Sequence, residues 1–271
     1  MAMNFTKELL VPPGTQVRLR KHDPDQTLGW EKDGRTSDSL AKALKKLDGL
    51  QELLFAEKKR ALLIVLQALD AGGKDGTIRH VMSGVNPQGC RVTSFKKPSV
   101  EELEHDFLWR VHSAVPRYGD IGIFNRSHYE DVLVARVHNL VPKEVWSRRY
   151  DQINQFEAML DENRVGILKF FLHISKDEQK KRLLKRIHDP RKVWKISEAD
   201  FLERKYWDDY GAAYEAALGR CNTREAPWYI IPSNKKWFRN LAVSHIIVER
   251  LEQMHLNFPA RSIDVRKLKW Q

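Results

Sequence analysis

Cysteine is scarce in this chain: its 271 residues include Cys90 and Cys221 and no others. Two distant cysteines exclude a disulfide framework and a thiolate metal site, and they suit a reducing compartment. No apolar run reaches the roughly 20 residues of a membrane-crossing helix, and the N-terminus has no secretory hydrophobic region, so the chain reads as cytoplasmic and binds no membrane. The ten histidines form no HExxH or comparable metal array. His112, His128 and His173 therefore read as structural or surface groups, not phosphoryl carriers. There is no internal repeat and no low-complexity tract. Negative charge is also short. With 36 Asp and Glu against 47 Lys and Arg, the formal net charge is +11. Such an excess favours a polyanion, whether nucleic acid, an anionic surface or a phosphate-rich substrate. Eight tryptophans argue against a disordered basic tail.

What is present is organised around one stretch. A nearly unbroken apolar run begins at Ala61, turns through Gly72 and Gly73 to Lys74, and passes Thr77 into a helical pattern. An apolar run of this length closed by glycines reads as a buried parallel strand. Strand, glycine turn, lysine and helix start form a phosphate-binding loop. Backbone N–H groups of Ala71, Gly72, Gly73, Asp75 and Gly76 can curl around phosphate oxygens, the helix N-terminus adds its dipole, and the lysine adds a full charge. The loop departs from G-x-x-x-x-G-K-[ST]. Ala68 replaces the first glycine, Asp75 stands where a hydroxyl is expected, with Thr77 two places on, and an acid enters at Asp70.

Residues 1–35, rich in Pro and Gly, read as an extension over a single domain. A helix follows from Thr36, capped by Ser37 or Ser39, with Leu40, Leu44, Leu47 and Leu54 on its apolar face. Further strands are expected at Cys90–Phe95, Asp120–Phe124, Val165–Ile174 and Trp228–Ile231. Helices alternate with them: one after the loop to Ser83, one from Ser99 through Val111, one opened by Pro142, one over Lys176–His188, one capped by Ser197, and one from Lys235 to His255. Alternation of this kind predicts an α/β fold with a central five-stranded parallel sheet and helices on both faces, and the basic helical hairpin from Lys180 to Arg204, directly after the fourth strand, reads as a lid. Ligands of such sheets sit at the carboxyl ends of the strands. That gathers Asp70–Thr77, Phe95–Lys97, Asn125–Asp131 and the basic segment after Ile174 around one crevice.

Asn125 occupies the place of a second metal-directing acid, beside Arg126 and one turn from Glu130 and Asp131. Asp70 can restore the missing charge, so Asp70, Asn125 and Glu130 are the candidate magnesium-directing groups. Lys181, Arg182, Lys185 and Arg186 repeat at helical spacing, and like charges at i,i+4 oppose a helix unless an anion neutralises them. Lys195 and Arg204 continue this basic stretch. Lys96 ends the second strand toward the crevice. Arg110 lies four residues from Asp106, as an ion pair or a nucleotide contact.

At these residues the chain resembles the second family of polyphosphate kinases, P-loop enzymes that move phosphoryl groups between inorganic polyphosphate and nucleotides. The matching words are Leu69–Gly76 (LDAGGKDG), Phe95–Ser99 (FKKPS), His105–Arg110 (HDFLWR), Ile123–Asp131 (IFNRSHYED), Trp194–Ser197 (WKIS), Trp207–Tyr210 (WDDY) and Ala226–Trp228 (APW). They span about residues 36–250. The NRSHYED form, with Asn where other members carry Asp, resembles the third class, which phosphorylates both AMP and ADP. The resemblance implies Asp70 and Lys74 as the essential acid and base of the loop, Arg126 as the arginine after the third strand, and Arg182 and Arg186 as lid arginines. It also implies a P-loop kinase-like three-layer α/β/α sandwich whose helical lid spans about 178–215, magnesium, polyphosphate and adenine nucleotides as ligands, with guanine nucleotides left open, and a homodimer or homotetramer. Two other readings compete: an ATP-dependent nucleotide or nucleoside kinase on the same fold, and a nucleic-acid-binding module. No nucleic-acid reader motif supports the second.

Overall fold

The computed structural model describes residues 4–195 and 198–260, with the backbone alone at Lys195 and Ala199. The expected cap at Ser197 and the end of the 194–197 word lie outside the described residues. Five strands, β1 (Ala61–Gln67), β2 (Cys90–Ser94), β3 (Ile121–Asn125), β4 (Val165–His173) and β5 (Trp228–Pro232), form one sheet in the order β2-β3-β1-β4-β5. Every pairing is parallel. β1 is buried at all seven positions because it is central and covered on both faces, which is why its sequence is apolar without alternation.

The helices are α1 (Phe5–Leu9), α2 (Gly34–Glu57), α3 (Lys74–Val81), α4 (Val100–Leu103), α5 (Trp109–His112), α6 (Val134–Val137), α7 (Lys143–Glu162), α8 (Lys176–Ile187), α9 (Glu198–Leu202), α10 (Trp207–Arg220) and α11 (Lys236–Gln253). Leu63, Val65, Phe124, Ile167 and Phe171 pack with α7 and α10 on one face of the sheet. Leu62, Ile64, Leu66, Leu168 and Phe170 pack with α1, α2, α3 and α11 on the other. Along the edge strand β5, Leu10 forms an antiparallel bridge to Tyr229, and the Val11 N–H donates to the Trp228 carbonyl. No helix among the described residues is long and apolar enough to cross a membrane.

Local capping explains where the elements depart from expectation. α2 begins before Thr36 because the Asp33 carboxylate accepts from the Thr36 N–H at 2.8 Å. Ser37 donates back to the Asp33 carbonyl and Ser39 bonds His245, so neither caps. The helix expected over 99–111 is two short ones. Ser99 and Glu102 do form the capping box, but Asp106 turns its carboxylate onto the Leu108 N–H and breaks the run. Asp106 therefore does not pair with Arg110, whose guanidinium donates to the Lys96 carbonyl at 2.9 Å and lies 3.6 Å from Glu102.

Register brings the chemistry to one edge. Gln67 pairs with Phe171, Leu66 with Asn125, and Asn125 with Ser94, so the segments leaving β1, β2, β3 and β4 emerge side by side.

Candidate active site

The loop is shaped by left-handed backbone. Ala71 sits at φ 58° and Gly73, the residue before α3, at φ 109°. A side chain at Gly72 would place Cβ 2.5 Å from Ala68 Cβ and 2.8 Å from the Leu69 carbonyl, so glycine is required for the tight turn. The Lys74 ammonium folds back onto the Ala68 carbonyl at 2.7 Å. Burial lowers its pKa, Asp70 works the other way, and Arg126 adds to the lowering. The Thr77 hydroxyl donates to the Gly73 carbonyl at 3.1 Å from a buried position. An added Cβ at Gly76 would come 3.3 Å from Arg239 Nη2.

The next edge is the end of β3. The Asn125 amide donates to Asp75 Oδ1 at 2.9 Å, so this amide nitrogen ties β3 to the loop. Arg126, at φ 62°, reaches Asp70 Oδ1 at 3.0 Å. Ser127 Oγ accepts from both Tyr129 N–H and Gln67 Nε2, starting the 3-10 turn His128–Asp131 that carries Glu130. Burial raises the Glu130 pKa, against the pull of Arg126 and Lys74. Glu130 and Asp70 in turn hold the Arg126 pKa above its ordinary value despite burial. Beneath this turn lies a buried network. Lys169 in β4 donates to Glu157, to the Tyr129 hydroxyl and to the Cys221 carbonyl, and His128 bonds Glu157 at 3.1 Å. His128 is thus structural, and burial pushes the His173 pKa down to about 4.

A cavity of about 260 Å³ opens between these edges and the helices that follow β4. Asp70, Arg126 and Glu130 line its floor, and Glu203, Arg204, Trp207 and Tyr210 line its far wall. Gln179 joins the two sides: its amide donates to the Asp70 carbonyl at 3.0 Å and accepts from Arg204 at 2.6 Å. Glu203 takes hydrogen bonds from His138 at 3.0 Å and Tyr210 at 2.9 Å.

Cations crowd the opposite side of the loop. Arg182, expected as a lid arginine facing substrate, is buried. Its Nη1 donates to the Ala71 and Gly72 carbonyls, both at 3.0 Å, its Nη2 to the Ser233 and Asn234 carbonyls, and its Nε to Glu178 at 2.8 Å. Five donors spent on the protein make it a scaffold of the loop, a correction that helical spacing could not reveal. Beside it stands Arg239, whose pKa burial and Arg182 push down to about 10. Burial lowers the Lys236 pKa, and Arg182, Arg239 and Lys185 lower it further. Arg186 is half-buried on the same helix, and Lys96 is exposed at the rim. The Lys195 side chain lies outside the described residues.

Gln179, His138, Glu203, Tyr210, Lys236 and Arg239 were not singled out from sequence. A signal existed for two of them. Lys235, Lys236 and Arg239 occupy the start of α11, where the helix dipole disfavours cations, and a site anion would explain that placement.

The comparisons with known proteins bear directly on this arrangement. The family model for polyphosphate kinase 2 (PPK2) matches residues 31–259. The AMP/ADP-polyphosphate phosphotransferase of Meiothermus ruber is 53% identical over 254 residues, covering 93% of this chain and 95% of that protein. The ADP-polyphosphate phosphotransferase of Rhodopseudomonas palustris is 45% identical over 97% of this chain and 95% of its own length. The crystal structure of polyphosphate kinase 2 from Arthrobacter aurescens superposes with a TM-score of 0.92 at 43% identity, covering 98% of this chain and 95% of that one.

Proposed function

The chain belongs to the polyphosphate kinase 2 family, and on that premise we propose that it transfers phosphoryl groups from inorganic polyphosphate to AMP and ADP, giving ADP and ATP. One observation carries the reading: Arg182 and Arg239 stand together beside Gly73, and Lys236 lies close enough to them and to Lys185 for the three cations to add to the lowering that burial imposes on its pKa. Such crowding is relieved by a polyanion, and a polyphosphate chain supplies a continuous line of charge. The opposite cavity, with Trp207, Tyr210, Tyr214 and His138 beside carboxylates, suits a nucleotide base and ribose. The reacting phosphates then meet over the loop, between the two sides.

In this scheme the loop N–H groups and the Lys74 ammonium hold the transferred phosphoryl. Phosphate draws Lys74 off the Ala68 carbonyl, and Arg126 turns from Asp70 toward phosphate oxygen. The acceptor's terminal phosphate attacks in line, and the cationic surroundings stabilise charge spread over a metaphosphate-like centre. No protein-bound phosphoryl intermediate is required. Among the described residues no three His, Cys, Asp or Glu side chains converge as a metal cage. That fits magnesium, which keeps its waters and binds through one or two carboxylates plus substrate phosphates. Asp70 and Glu130, which line the same cavity, are the carboxylates that would hold it. When bound, the ion would offset the negative charge that develops on the phosphates. Asn125, tied to Asp75 by its nitrogen, has its carbonyl oxygen left to orient a water. The segment of about 178–215 serves as a lid. The 260 Å³ cavity is open to solvent, and the α9–α10 side that walls it is the part that would close over a bound nucleotide. A homodimer or homotetramer is the expected assembly, which light scattering reads directly.

The test is incubation with magnesium and long-chain polyphosphate, with AMP or ADP as acceptor and no other donor. ADP and then ATP from AMP is the expected result. ATP from ADP with AMP inert would narrow the acceptor range. Transfer only when ATP is the donor would replace the reading with an ATP-dependent kinase. GMP and GDP as competitors read the base preference.

A further inference from the structure

Residues 4–33 do more than cover a sheet edge, and the reason lies in one side chain. The segment runs along β5, is held at Leu19 by Glu215 (2.8 Å), and reaches the carboxyl rim of the sheet at Pro24 and Asp25. There it meets Asn234, in the turn between β5 and α11. The Asn234 N–H donates to the Pro24 carbonyl at 3.1 Å, and its amide nitrogen donates to Asp25 Oδ2 at 2.7 Å. The amide oxygen accepts the Ser175 N–H at 3.0 Å, and Ser175 is the N-cap of α8. The Asn234 and Ser233 carbonyls accept from Arg182 Nη2, whose other arm holds the Ala71 and Gly72 carbonyls. A continuous chain of hydrogen bonds thus runs from Asp25 through Asn234 and Arg182 to the phosphate loop, with a branch to the first turn of α8.

We propose that Asp25 and Asn234 are positioning residues for the phosphate loop: they fix the two carbonyls on which Arg182 rests, and through it the Ala71–Gly72 backbone that must present its N–H groups to phosphate. Neither residue touches substrate. Arg182 can hold both pairs of carbonyls only while the 233–234 turn keeps its height, because the guanidinium fork is planar and rigid. Asp25 is exposed, so its carboxylate contributes little to the stability of the core. Its role is geometric. The activity part of the claim rests on the polyphosphate reading above, whereas the loop geometry does not.

The experiment is a swap in the full chain. Asn234→Asp sets two carboxylates against each other, whereas Asp25→Asn combined with Asn234→Asp restores a donor–acceptor pair with the roles exchanged and leaves an oxygen for the Ser175 N–H. Amide exchange is followed by mass spectrometry without substrate. Asn234→Asp is expected to speed exchange in peptides covering Leu69–Asp75 while β1 and β4 peptides keep their protection, and the swap to return it. In the transfer assay, Asn234→Asp should lower kcat/KM for polyphosphate about tenfold and the swap should recover to within about threefold of the parent, at nearly constant melting temperature. Asp25→Ala, at an exposed site that does not threaten folding, should behave as a milder Asn234→Asp. Unchanged loop exchange in Asn234→Asp and Asp25→Ala, or a swap no better than Asn234→Asp alone, overturns the proposal. A parent protein with no polyphosphate-dependent transfer would overturn the functional reading instead, and the exchange data would still decide this one.

Discussion

Gly73→Ala is the substitution that probes the loop most directly. Gly73 sits at φ 109°, where an L side chain is strained by about 1–3 kcal/mol. The added Cβ would lie 2.0 Å from Arg239 Nη1 and 3.1 Å from its Cζ. That guanidinium cannot simply step aside. Arg239 is buried, and its Nε and Nη2 are held on Asn240 Oδ1 at 3.1 and 2.8 Å. Giving up one such charged hydrogen bond costs about 1.5–3 kcal/mol. The two effects together predict a loss of about 2.5–6 kcal/mol. At about 2–4 °C per kcal/mol for a chain of this size, the melting temperature should fall by about 5–24 °C. Thermal unfolding followed by circular dichroism, beside the transfer assay, reads both consequences. Gly211→Ala is the control: nothing lies within 4 Å of its Cβ and it sits inside α10, so it should stabilise by about 0.5–1 kcal/mol. In a double-mutant cycle with Arg239→Ala, the pair should be less destabilised than the sum of the singles by about 1–3 kcal/mol, since the clash is gone. A Gly73→Ala melting temperature within about 2 °C of the parent, or strict additivity in the cycle, would refute the claim that the loop is packed against the Arg239 fork.

Three other substitutions separate chemistry from scaffold. Lys74→Ala should cut kcat about 10²–10³-fold, the cost of losing one transition-state donor, while the fold survives because the Lys74 ammonium contributes a single hydrogen bond among the described residues, to the Ala68 carbonyl; near-normal turnover would remove the phosphate-loop assignment. Arg182→Ala strips donors from four carbonyls and should cost about 3–5 kcal/mol of stability in chemical denaturation, and Arg182→Lys should recover little because an ammonium cannot span both pairs. For Glu130, a pKa raised in the folded protein means that its ionised form opposes folding above that pKa and that this penalty vanishes below the ordinary carboxylate value. Glu130→Gln, melted without magnesium, should therefore raise the melting temperature at pH 7–8 and leave it unchanged near pH 3, and in the magnesium-dependent transfer assay it should lower activity.

Much of this molecule is written in local chemistry. The buried run of β1, the glycine turn, Lys74 and the alternating helices are legible because a central parallel strand and a phosphate loop each demand residues close together in sequence. The words around Asp70, Arg126 and Trp207 identify the family for the same reason, and the net positive charge is a property of composition alone. What the linear chain could not disclose is which way each cation faces. Arg182 and Arg186 occupy similar places in one basic helix, yet Arg182 alone is buried against four carbonyls brought to it by the β1 and β5 turns. Asp106 lies at ideal spacing from Arg110, yet its carboxylate prefers a nearby backbone N–H. Arg239 and Asn234 become partners of the loop only when α11 packs beside α3 and the N-terminal segment closes along β5. These contacts join residues from 51 to 209 positions apart. Their geometry is set by sheet register and helix packing, which depend on the whole core at once, whereas the loop's phosphate chemistry needs only a dozen consecutive residues.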